Sequence, residues 1–207
     1  MRETTLIDRL VRGYFQLWSS TYDLSPLQLW IYRPVHRAVL QAVARPSVPL
    51  GRALDLACGT ARLTFDLASR YPGAMAVGLD VSQGMLAAAR RRLRERTPPL
   101  VRGDAYALPF ADGSFELVTS TIAYHWLLDA EAALREIRRV LRPGGRLVLG
   151  TLVARLLPGT YLGMRLASIR RHREDLAAAG FREVSVRNVG WRTAVFSAEV
   201  PGESASH

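Results

Sequence analysis

The sequence predicts an α/β fold, with a mostly parallel sheet of seven strands, helices on both faces and a helical N-terminal segment. Two observations predict it. Short apolar runs alternate with helical patterns from residue 52 onward, and Asp55, Asp80 and Asp104 occupy or adjoin the ends of three successive runs. Strands joined by helices run parallel, so helices cover both faces of the sheet. We therefore expect the three carboxylates at one edge, where such sheets bind ligands.

Apolar residues at helical spacing predict two helices in the first 45 residues, over 4–18 and 26–44. This segment is rich in aromatic residues: Tyr14, Phe15, Trp18, Tyr22, Trp30 and Tyr32. We expect residues 1–45 to form a helical lid over the carboxyl edge of the sheet. Residues 46–207 then form the sheet, within a single domain overall.

Strands and helices alternate after the prolines at 46 and 49. The predicted elements are strand 52–57, helix 61–70, strand 74–80, helix 83–96, strands 99–102 and 115–121, helix 130–141, strand 145–152, helix 168–180 and strands 183–189 and 193–200. Ser82 is placed to cap the helix that follows it. Pro143-Gly144-Gly145 is expected to stop the helix before it.

Composition limits the class of protein. The chain has 207 residues, of which 49% are hydrophobic, enough for a sizeable core. A single cysteine, Cys58, excludes an internal disulfide and favours a reducing compartment. Apolar runs stay well below the ~20 residues that cross a bilayer, and the N-terminus lacks the apolar stretch of a signal peptide. We therefore expect a cytoplasmic protein.

The chain is strongly basic, with a net charge of +10, and it contains arginine but no lysine. A lysine base or Schiff base is therefore excluded. The densest cluster, Arg90–Arg96, lies at the end of a predicted helix, where cations suit the helix dipole. It is either a solvated helix end or a surface for phosphates of nucleic acid or anionic lipid.

The loop after the first strand argues against a dinucleotide site. Its sequence from Gly59 to Thr64 is Gly-Thr-Ala-Arg-Leu-Thr, which lacks the second and third glycines of G-x-G-x-x-G. Those glycines let the backbone approach a pyrophosphate. A nucleoside ligand without phosphates does not need them, and a strand-end carboxylate can still accept from ribose hydroxyls.

Four segments occur in order at the spacing of a known family. They are Asp55-Leu-Ala-Cys-Gly-Thr-Ala61, Gly78-Leu-Asp-Val-Ser82, Gly103-Asp-Ala105 followed by Leu108–Val118, and Arg139-Val-Leu-Arg-Pro-Gly-Gly145. In these segments the chain resembles the class I S-adenosylmethionine-dependent methyltransferases, most closely the ubiquinone/menaquinone type and related small-molecule enzymes. The resemblance covers residues 51–152 and, more weakly, 175–198. Two departures are Ala61, in place of a glycine, whose methyl group could crowd the cofactor, and Glu116, where aspartate is usual.

The resemblance implies a Rossmann-like sheet, S-adenosylmethionine as cofactor and no metal. The cofactor-binding residues it implies are Asp55, Ala57, Gly59, Thr60, Asp80, Val81, Asp104, Ala105 and Thr121. Asp55 would orient the loop and the amino group of the cofactor, and Gly59 and Thr60 would line its methionine portion. Asp80 would accept from both ribose hydroxyls. Asp104 and the Ala105 amide would bind the adenine, and Thr121 would contact the methionyl end.

Two residues are candidates for catalysis. His125 follows the fourth strand of the sheet on its ligand side, where it could act as a general base or only shape the pocket. Tyr22 resembles the lid tyrosine of relatives that closes over the cofactor. A third residue, His172, lies among arginines and is expected to be solvated.

The acceptor is expected to be a small molecule. The aromatic lid, with a short flap containing Leu156, Leu157, Tyr161 and Met164, favours an aromatic, isoprenoid or lipid-like compound. Lid arginines and aromatics also suit peripheral contact with a membrane. One alternative is an RNA methyltransferase, suggested by charge alone, since no Asn/Asp-Pro-Pro-Tyr motif is present. Another is a cofactor-binding protein without transfer activity. The oligomeric state is left open.

Overall fold

The fold is built on one large sheet with helices on both of its faces. The computed structural model describes residues 6–44, 50–155, 158–161 and 164–202. The strands are β1 (Arg52–Leu56), β2 (Met75–Asp80), β3 (Leu100–Arg102), β4 (Phe115–Thr121), β5 (Leu141–Leu152), β6 (Gly159–Tyr161), β7 (Met164–Leu166), β8 (Arg182–Gly190) and β9 (Thr193–Glu199). The helices are α1 (Leu6–Trp18), α2 (Arg33–Val43), α3 (Arg62–Arg70), α4 (Gln83–Leu93), α5 (Ala130–Val140) and α6 (Ile169–Ala178).

Seven strands form the sheet in the order β3-β2-β1-β4-β5-β9-β8. The first five are parallel to one another, whereas β9 is antiparallel to both of its neighbours. The predicted seven-stranded, mostly parallel sheet is confirmed. Strand order reverses between β1 and β4, so connections leave on opposite sides there and a crevice opens at the carboxyl ends of these strands.

The two faces of the sheet bury separate cores. Leu147 and Val148 are consecutive in β5 and belong to different clusters, because neighbouring side chains of a strand point to opposite faces. Val148 packs with α2 and α3. Leu147 lies in the cluster that contains Ile137 of α5 and Leu176 of α6. Helices on both faces are thereby confirmed.

Helix α2 belongs to this covering layer. A Cβ atom at Gly150 of β5 would overlap Val35 of α2, so the missing side chain lets the helix lie close to the sheet. Of the predicted lid of residues 1–45, the described part that lies outside this layer is therefore residues 6–32. We call residues 6–32 the lid.

The predicted helix over 26–44 has two parts. A π-helical turn over Gln28–Tyr32 precedes α2. Pro34 has no amide hydrogen to bond the carbonyl of Trp30 in the α pattern, and it stands at the start of α2. The proline explains why a regular helix begins only there.

Three other predicted details differ from the structure. Strand β5 begins at Leu141, because that residue pairs with Phe115, and Gly144 (φ 72°) turns the chain inside the strand. Helix α4 ends at Leu93, before Arg94 with φ 52°. The predicted flap contains the hairpin β6–β7, although Leu156 and Leu157 lie outside the described residues, as does the side chain of Tyr161.

The expectation that His172 is solvated is wrong. Its ring is buried against Phe196 and Tyr124, with ring centroids 5.1 and 5.7 Å away. The arginines beside it in sequence lie on other faces of α6, because neighbours along a helix point in different directions.

Among the described residues, no helix is both long and apolar enough to span a bilayer.

Candidate functional site

The loop after β1 has an unusual backbone. Ala57, Gly59 and Ala61 have left-handed φ angles of 56°, 56° and 57°. This region costs alanine roughly 1–2 kcal/mol relative to a right-handed conformation, so neighbouring contacts must hold the loop. The Gly59 amide donates to Asp80 Oδ2 at 2.8 Å. This bond joins the loop to the end of β2.

The methyl group of Ala61 points away from the crevice. It is fully buried against Ala89 and Leu93 of α4, and it does not line the cavity described below. The methyl group that replaces the third glycine of the motif therefore packs the loop onto α4. It does not fill space beside the ligand.

Asp80 closes β2 and is only 8% exposed. Its Oδ2 accepts from Gly59 N and its Oδ1 from Ser82 N, both at 2.8 Å. Burial raises the pKa of this carboxyl, an effect that the backbone hydrogen bonds oppose. Each carboxylate oxygen can accept more than one hydrogen bond. Asp80 therefore keeps acceptor capacity for hydroxyls in the crevice, while its amide bonds fix its orientation.

A first cavity of about 130 Å³ opens at the crevice. Seven of the nine predicted cofactor-binding residues line it: Ala57, Gly59, Asp80, Val81, Asp104, Ala105 and Thr121. Tyr22, the predicted lid tyrosine, lines it as well, together with Val11, Arg12 and Phe15 of α1. This volume is below the roughly 300–1,000 Å³ of typical ligand pockets, because side chains of the lid occupy part of the crevice.

Thr121 offers an unused polar group at this cavity. Its hydroxyl is buried and has no hydrogen-bond partner among the described residues. Buried hydroxyls nearly always have partners. A ligand with a polar end beside Thr121 would provide one, so the residues present fit a methionyl group there.

Asp55 and Thr60, the other two predicted residues, do not line the cavity. Asp55 accepts from Thr64 Oγ1 at 2.7 Å and from Thr119 Oγ1 at 3.3 Å beneath the loop. The Thr60 hydroxyl donates to Asp23 of the lid at 2.9 Å. Both side chains therefore support the loop from outside the cavity in this state.

Substituting Asp55 by asparagine should remove a pH-dependent loss of stability. Burial raises the pKa of Asp55 to about 6, against roughly 3.9 in an unfolded chain. Because the folded-state pKa is raised, the contribution of Asp55 to the free energy of unfolding is fully present below about pH 4 and is lost as the pH rises through about 6. The total loss is about 3 kcal/mol.

About half of that loss should separate pH 5 from pH 8 in urea unfolding of the native protein, and Asp55→Asn should lack it. At each pH the unfolding free energy of Asp55→Asn is subtracted from that of the native protein, so the contributions of other titrating groups cancel. Parallel profiles for the two proteins would contradict the raised pKa.

Asp104 is already paired with the lid. Arg12 donates to Asp104 Oδ2 at 2.6 Å, and the Tyr106 amide donates to Oδ1 at 3.1 Å. The Arg12 and Asp104 side chains are each about one third exposed, and such ion pairs contribute little stability. A ligand donor can therefore displace Arg12 at small cost.

Two more lid residues, Gln16 and Asp23, make polar contacts that hold the lid. Gln16 Oε1 accepts from the Gly84 amide at 2.9 Å. Asp23 Oδ1 accepts from Thr60 Oγ1 and Arg62 Nε, each at 2.9 Å. The sequence reasoning missed these partners. One signal could have found them, since Arg12 and Gln16 are four residues apart and therefore lie on the same side of the helix.

A second cavity of about 650 Å³ lies under the lid. It shares Val11, Ile122 and Trp126 with the first. Other lid side chains complete it, with Met164 from the predicted flap: Ile7, Leu10, Tyr14, Trp18, Leu27, Ile31 and Tyr32. None of the described side chains that line it carries a charge at neutral pH. The cavity is therefore predominantly apolar, and Tyr14, Trp18, Tyr32 and Trp126 contribute aromatic surface to it.

His125 lines the second cavity and not the first. It is 2% exposed, and its Nδ1 lies 3.4 Å from Thr151 Oγ1. Burial lowers its pKa to about 3, with a smaller effect of His172. The imidazole is neutral at physiological pH, and this environment makes it a weak base. It can still donate or accept a hydrogen bond in the cavity.

Tyr22 lines the first cavity and packs against other aromatic residues of the lid. Its ring packs edge-to-face on Trp18 and Tyr32, at centroid distances of 4.9 and 5.4 Å. Burial raises the pKa of its hydroxyl well above the ordinary value. Tyr22 is therefore a neutral hydrogen-bonding group and is not a source of phenolate.

Part of the basic cluster has partners within the protein. Arg92 donates to the Thr60 carbonyl at 2.8 Å, and the Arg96 guanidinium lies 4.9 Å from the centre of the Phe65 ring. These two arginines stabilise the loop and the end of α4, consistent with a structural role at a helix end.

The comparisons with known proteins agree with this geometry. Residues 54–149 match the family described as a methyltransferase domain. The chain is 41% identical over 145 residues to the demethylmenaquinone methyltransferase of Mycolicibacterium vanbaalenii, covering 70% of this chain and 58% of the relative. It is 34% identical over 169 residues to the malonyl-[acyl-carrier protein] O-methyltransferase of Methylococcus capsulatus, covering 74% and 60%. The chain thus spans about three fifths of the length of these relatives.

The fold is also similar to a solved structure with a bound cofactor. The phosphoethanolamine N-methyltransferase 2 of Haemonchus contortus in complex with S-adenosyl-L-methionine superposes with a TM-score of 0.71 at 18% identity, covering 90% of this chain and 60% of that one. Sequence match, strand order and the crevice beside the glycine loop all lead to the same assignment. Residues 54–149 belong to the methyltransferase-domain family, and the relatives and the fold support a class I S-adenosylmethionine-dependent methyltransferase.

Proposed function

We propose that this chain binds S-adenosylmethionine in the first cavity and methylates a neutral, apolar, ring-containing acceptor in the second. The observation that carries the proposal is the shared wall of Val11, Ile122 and Trp126. Because the two cavities adjoin at these three residues, a methyl group at the end of the first cavity would lie next to an acceptor in the second.

Three groups support the cofactor part of the proposal. Asp80 has free acceptor capacity for two ribose hydroxyls beside the Gly59 amide. The Asp104 carboxylate suits the adenine amino group, which would replace Arg12. Thr121 has an unsatisfied hydroxyl for the methionyl end. Cofactor binding is therefore expected to be coupled to movement of the lid.

The lining of the second cavity favours a neutral acceptor. A malonyl carboxylate buried there would have no cationic partner among the described lining residues, and an unpaired buried charge is costly. A demethylated quinol has two hydroxyls on an apolar ring system, which suits aromatic walls and one neutral imidazole. Between the acceptor classes in the relatives' names, the cavity supports the quinol.

Methyl transfer requires little from the protein beyond positioning the acceptor and the methyl donor. When bound, S-adenosylmethionine supplies a methyl group already activated by its sulfonium. The chain's own residues then hold the acceptor in line and exclude water. His125, neutral in this environment, would orient an acceptor hydroxyl by a hydrogen bond. The acceptor atom that gains the methyl group gives up its hydrogen as a proton, and water can take that proton once the lid reopens.

The test is transfer of labelled methyl groups to three acceptors: a short-chain demethylated naphthoquinol kept reduced, a malonyl thioester on acyl carrier protein, and total RNA. We expect labelled product with the quinol alone. Asp112→Asn is a matched control, because Asp112 is an exposed aspartate that lines neither cavity.

Other results would select the alternatives. Labelled RNA, with binding that weakens steeply as salt rises, would support the RNA methyltransferase. Calorimetric binding of S-adenosylmethionine without product from any acceptor would support a cofactor-binding protein that does not transfer methyl groups.

A further inference from the structure

Helix α1 exposes one apolar stripe to solvent, although Val11 and Phe15 of the same helix line the first cavity. Leu6, Leu10, Tyr14 and Leu17 are exposed and recur at spacings of four, four and three. At about 100° per residue they lie on one stripe of the helix. Leu17, at 83% exposure, is almost as accessible as in an unfolded chain.

The polar side of the same helix faces the protein. Arg12 pairs with Asp104, and Gln16 accepts from the Gly84 amide. These contacts fix the rotation of the helix and so hold its leucines outward. In water such an orientation leaves apolar area uncovered, which is unfavourable. A nonaqueous surface against this face would remove that cost.

The segment after α1 extends this surface. Leu24 and Trp30 are 82% and 81% exposed, and Leu27 and Leu29 are also accessible. Of eleven large apolar side chains exposed in the described part of the chain, nine lie in the lid. We call these nine the outer lid face: Leu6, Ile7, Leu10, Tyr14, Leu17, Leu24, Leu27, Leu29 and Trp30.

Exposed cations lie beside this face in the sequence. Arg9 is on α1, and Arg33 and Arg37 follow Trp30 at the start of α2; all three are exposed. Asp23, an acidic residue of the lid, is already engaged by Arg62. A leucine-rich face with a tryptophan and flanking arginines is the composition of a helix that lies in the headgroup region of an anionic membrane.

The second cavity opens on the same face. Ile7, Leu10, Tyr14 and Leu27 line that cavity and are also exposed to solvent. An apolar molecule leaving a bilayer beneath the lid would meet these four side chains first. The outer surface and the inner cavity are therefore continuous.

We propose that the outer lid face docks on the surface of an anionic lipid bilayer. A second copy of this chain would fit less well, because a self-complementary contact would bring both sets of arginines together. The docking needs neither cofactor nor acceptor, so it stands or fails apart from the proposed methyl transfer.

The test is flotation of the protein with vesicles of phosphatidylcholine alone or mixed with phosphatidylglycerol. We expect flotation with the anionic vesicles, weaker in high salt and weak with neutral ones. Trp30→Ser and Leu17→Ser should each lower partitioning about tenfold, since each removes apolar area from the interface. Trp191→Ser, at a tryptophan 71% exposed outside the lid, is the matched control and should float like the parent.

Both tested side chains are largely exposed, so their replacement should leave folding intact, which thermal unfolding verifies. Tryptophan fluorescence should shift to shorter wavelength on vesicle addition in the parent and not in Trp30→Ser. The proposal is overturned if the parent does not float, or if Trp30→Ser and Trp191→Ser behave alike. It is equally overturned if light scattering finds a stable dimer that Trp30→Ser dissociates, since the face would then join two copies.

Discussion

Replacing Asp80 by alanine is expected to weaken binding of S-adenosylhomocysteine ten- to hundredfold. The change removes the charged acceptor for ribose hydroxyls, and hydrogen bonds to a charged group contribute about 1.5–3 kcal/mol. It also leaves the Gly59 amide without its acceptor at 2.8 Å, so the loop loses a contact that holds its left-handed backbone. Calorimetry on the folded variant measures the effect.

Ligand chemistry can separate the two contributions. The parent should bind S-adenosylhomocysteine more tightly than its 2′-deoxy form, because one ribose hydroxyl is then missing. Asp80→Ala should bind both forms with equal affinity. Asp112→Asn, an exposed aspartate, should retain the parent's preference. If Asp80→Ala still discriminates between the two ligands, another residue binds the ribose.

The second large effect concerns His125. We expect His125→Ala to lower kcat/KM by about a hundredfold on the true acceptor, while cofactor affinity stays within a few-fold. The ring is 2% exposed and lines the second cavity, so its loss leaves an acceptor hydroxyl without a partner and opens space beside it. Leaving a buried polar group without its hydrogen-bond partner costs about 1–3 kcal/mol, which corresponds to roughly 5- to 150-fold in rate.

His125→Gln distinguishes a hydrogen bond from proton transfer. Since the pKa of His125 is lowered to about 3, the ring stays neutral from pH 5 to pH 8, and kcat/KM should show no histidine inflection there. Glutamine, which also donates and accepts, should recover most of the lost rate. An inflection near neutral pH in the parent that disappears in His125→Gln would instead identify a general base.

Local sequence was sufficient for most of the fold. The seven strands follow from short apolar runs between turn residues, and the Ser82 cap follows from residue type, since its hydroxyl accepts from the Met85 amide at 3.3 Å. Details that depend on pairing partners were not predictable. Leu141 is strand because Phe115 lies opposite, and no local pattern indicates that.

The candidate site shows the same division. Carboxyl ends of parallel strands meet at one edge, so the positions of Asp80, Asp104 and Thr121 in one cavity followed from their places in the sequence. Their hydrogen-bond partners could not be predicted in this way, because Arg12 and Asp104, for example, are 92 positions apart in the chain. The direction of the Ala61 methyl group was likewise set by α4, which packs against the loop.

By itself, the sequence determined which residue types end each parallel strand, and from these it predicts a nucleoside site at one edge of the sheet. The period and composition of the apolar runs suffice for this prediction, because side chains alternate along a strand and short polar residues follow its last residue. Only the tertiary structure decided the state of those groups. Burial depends on every element packed around a residue, so the neutral His125, the inward polar stripe of α1 and its outward leucines became visible only once distant segments were placed together.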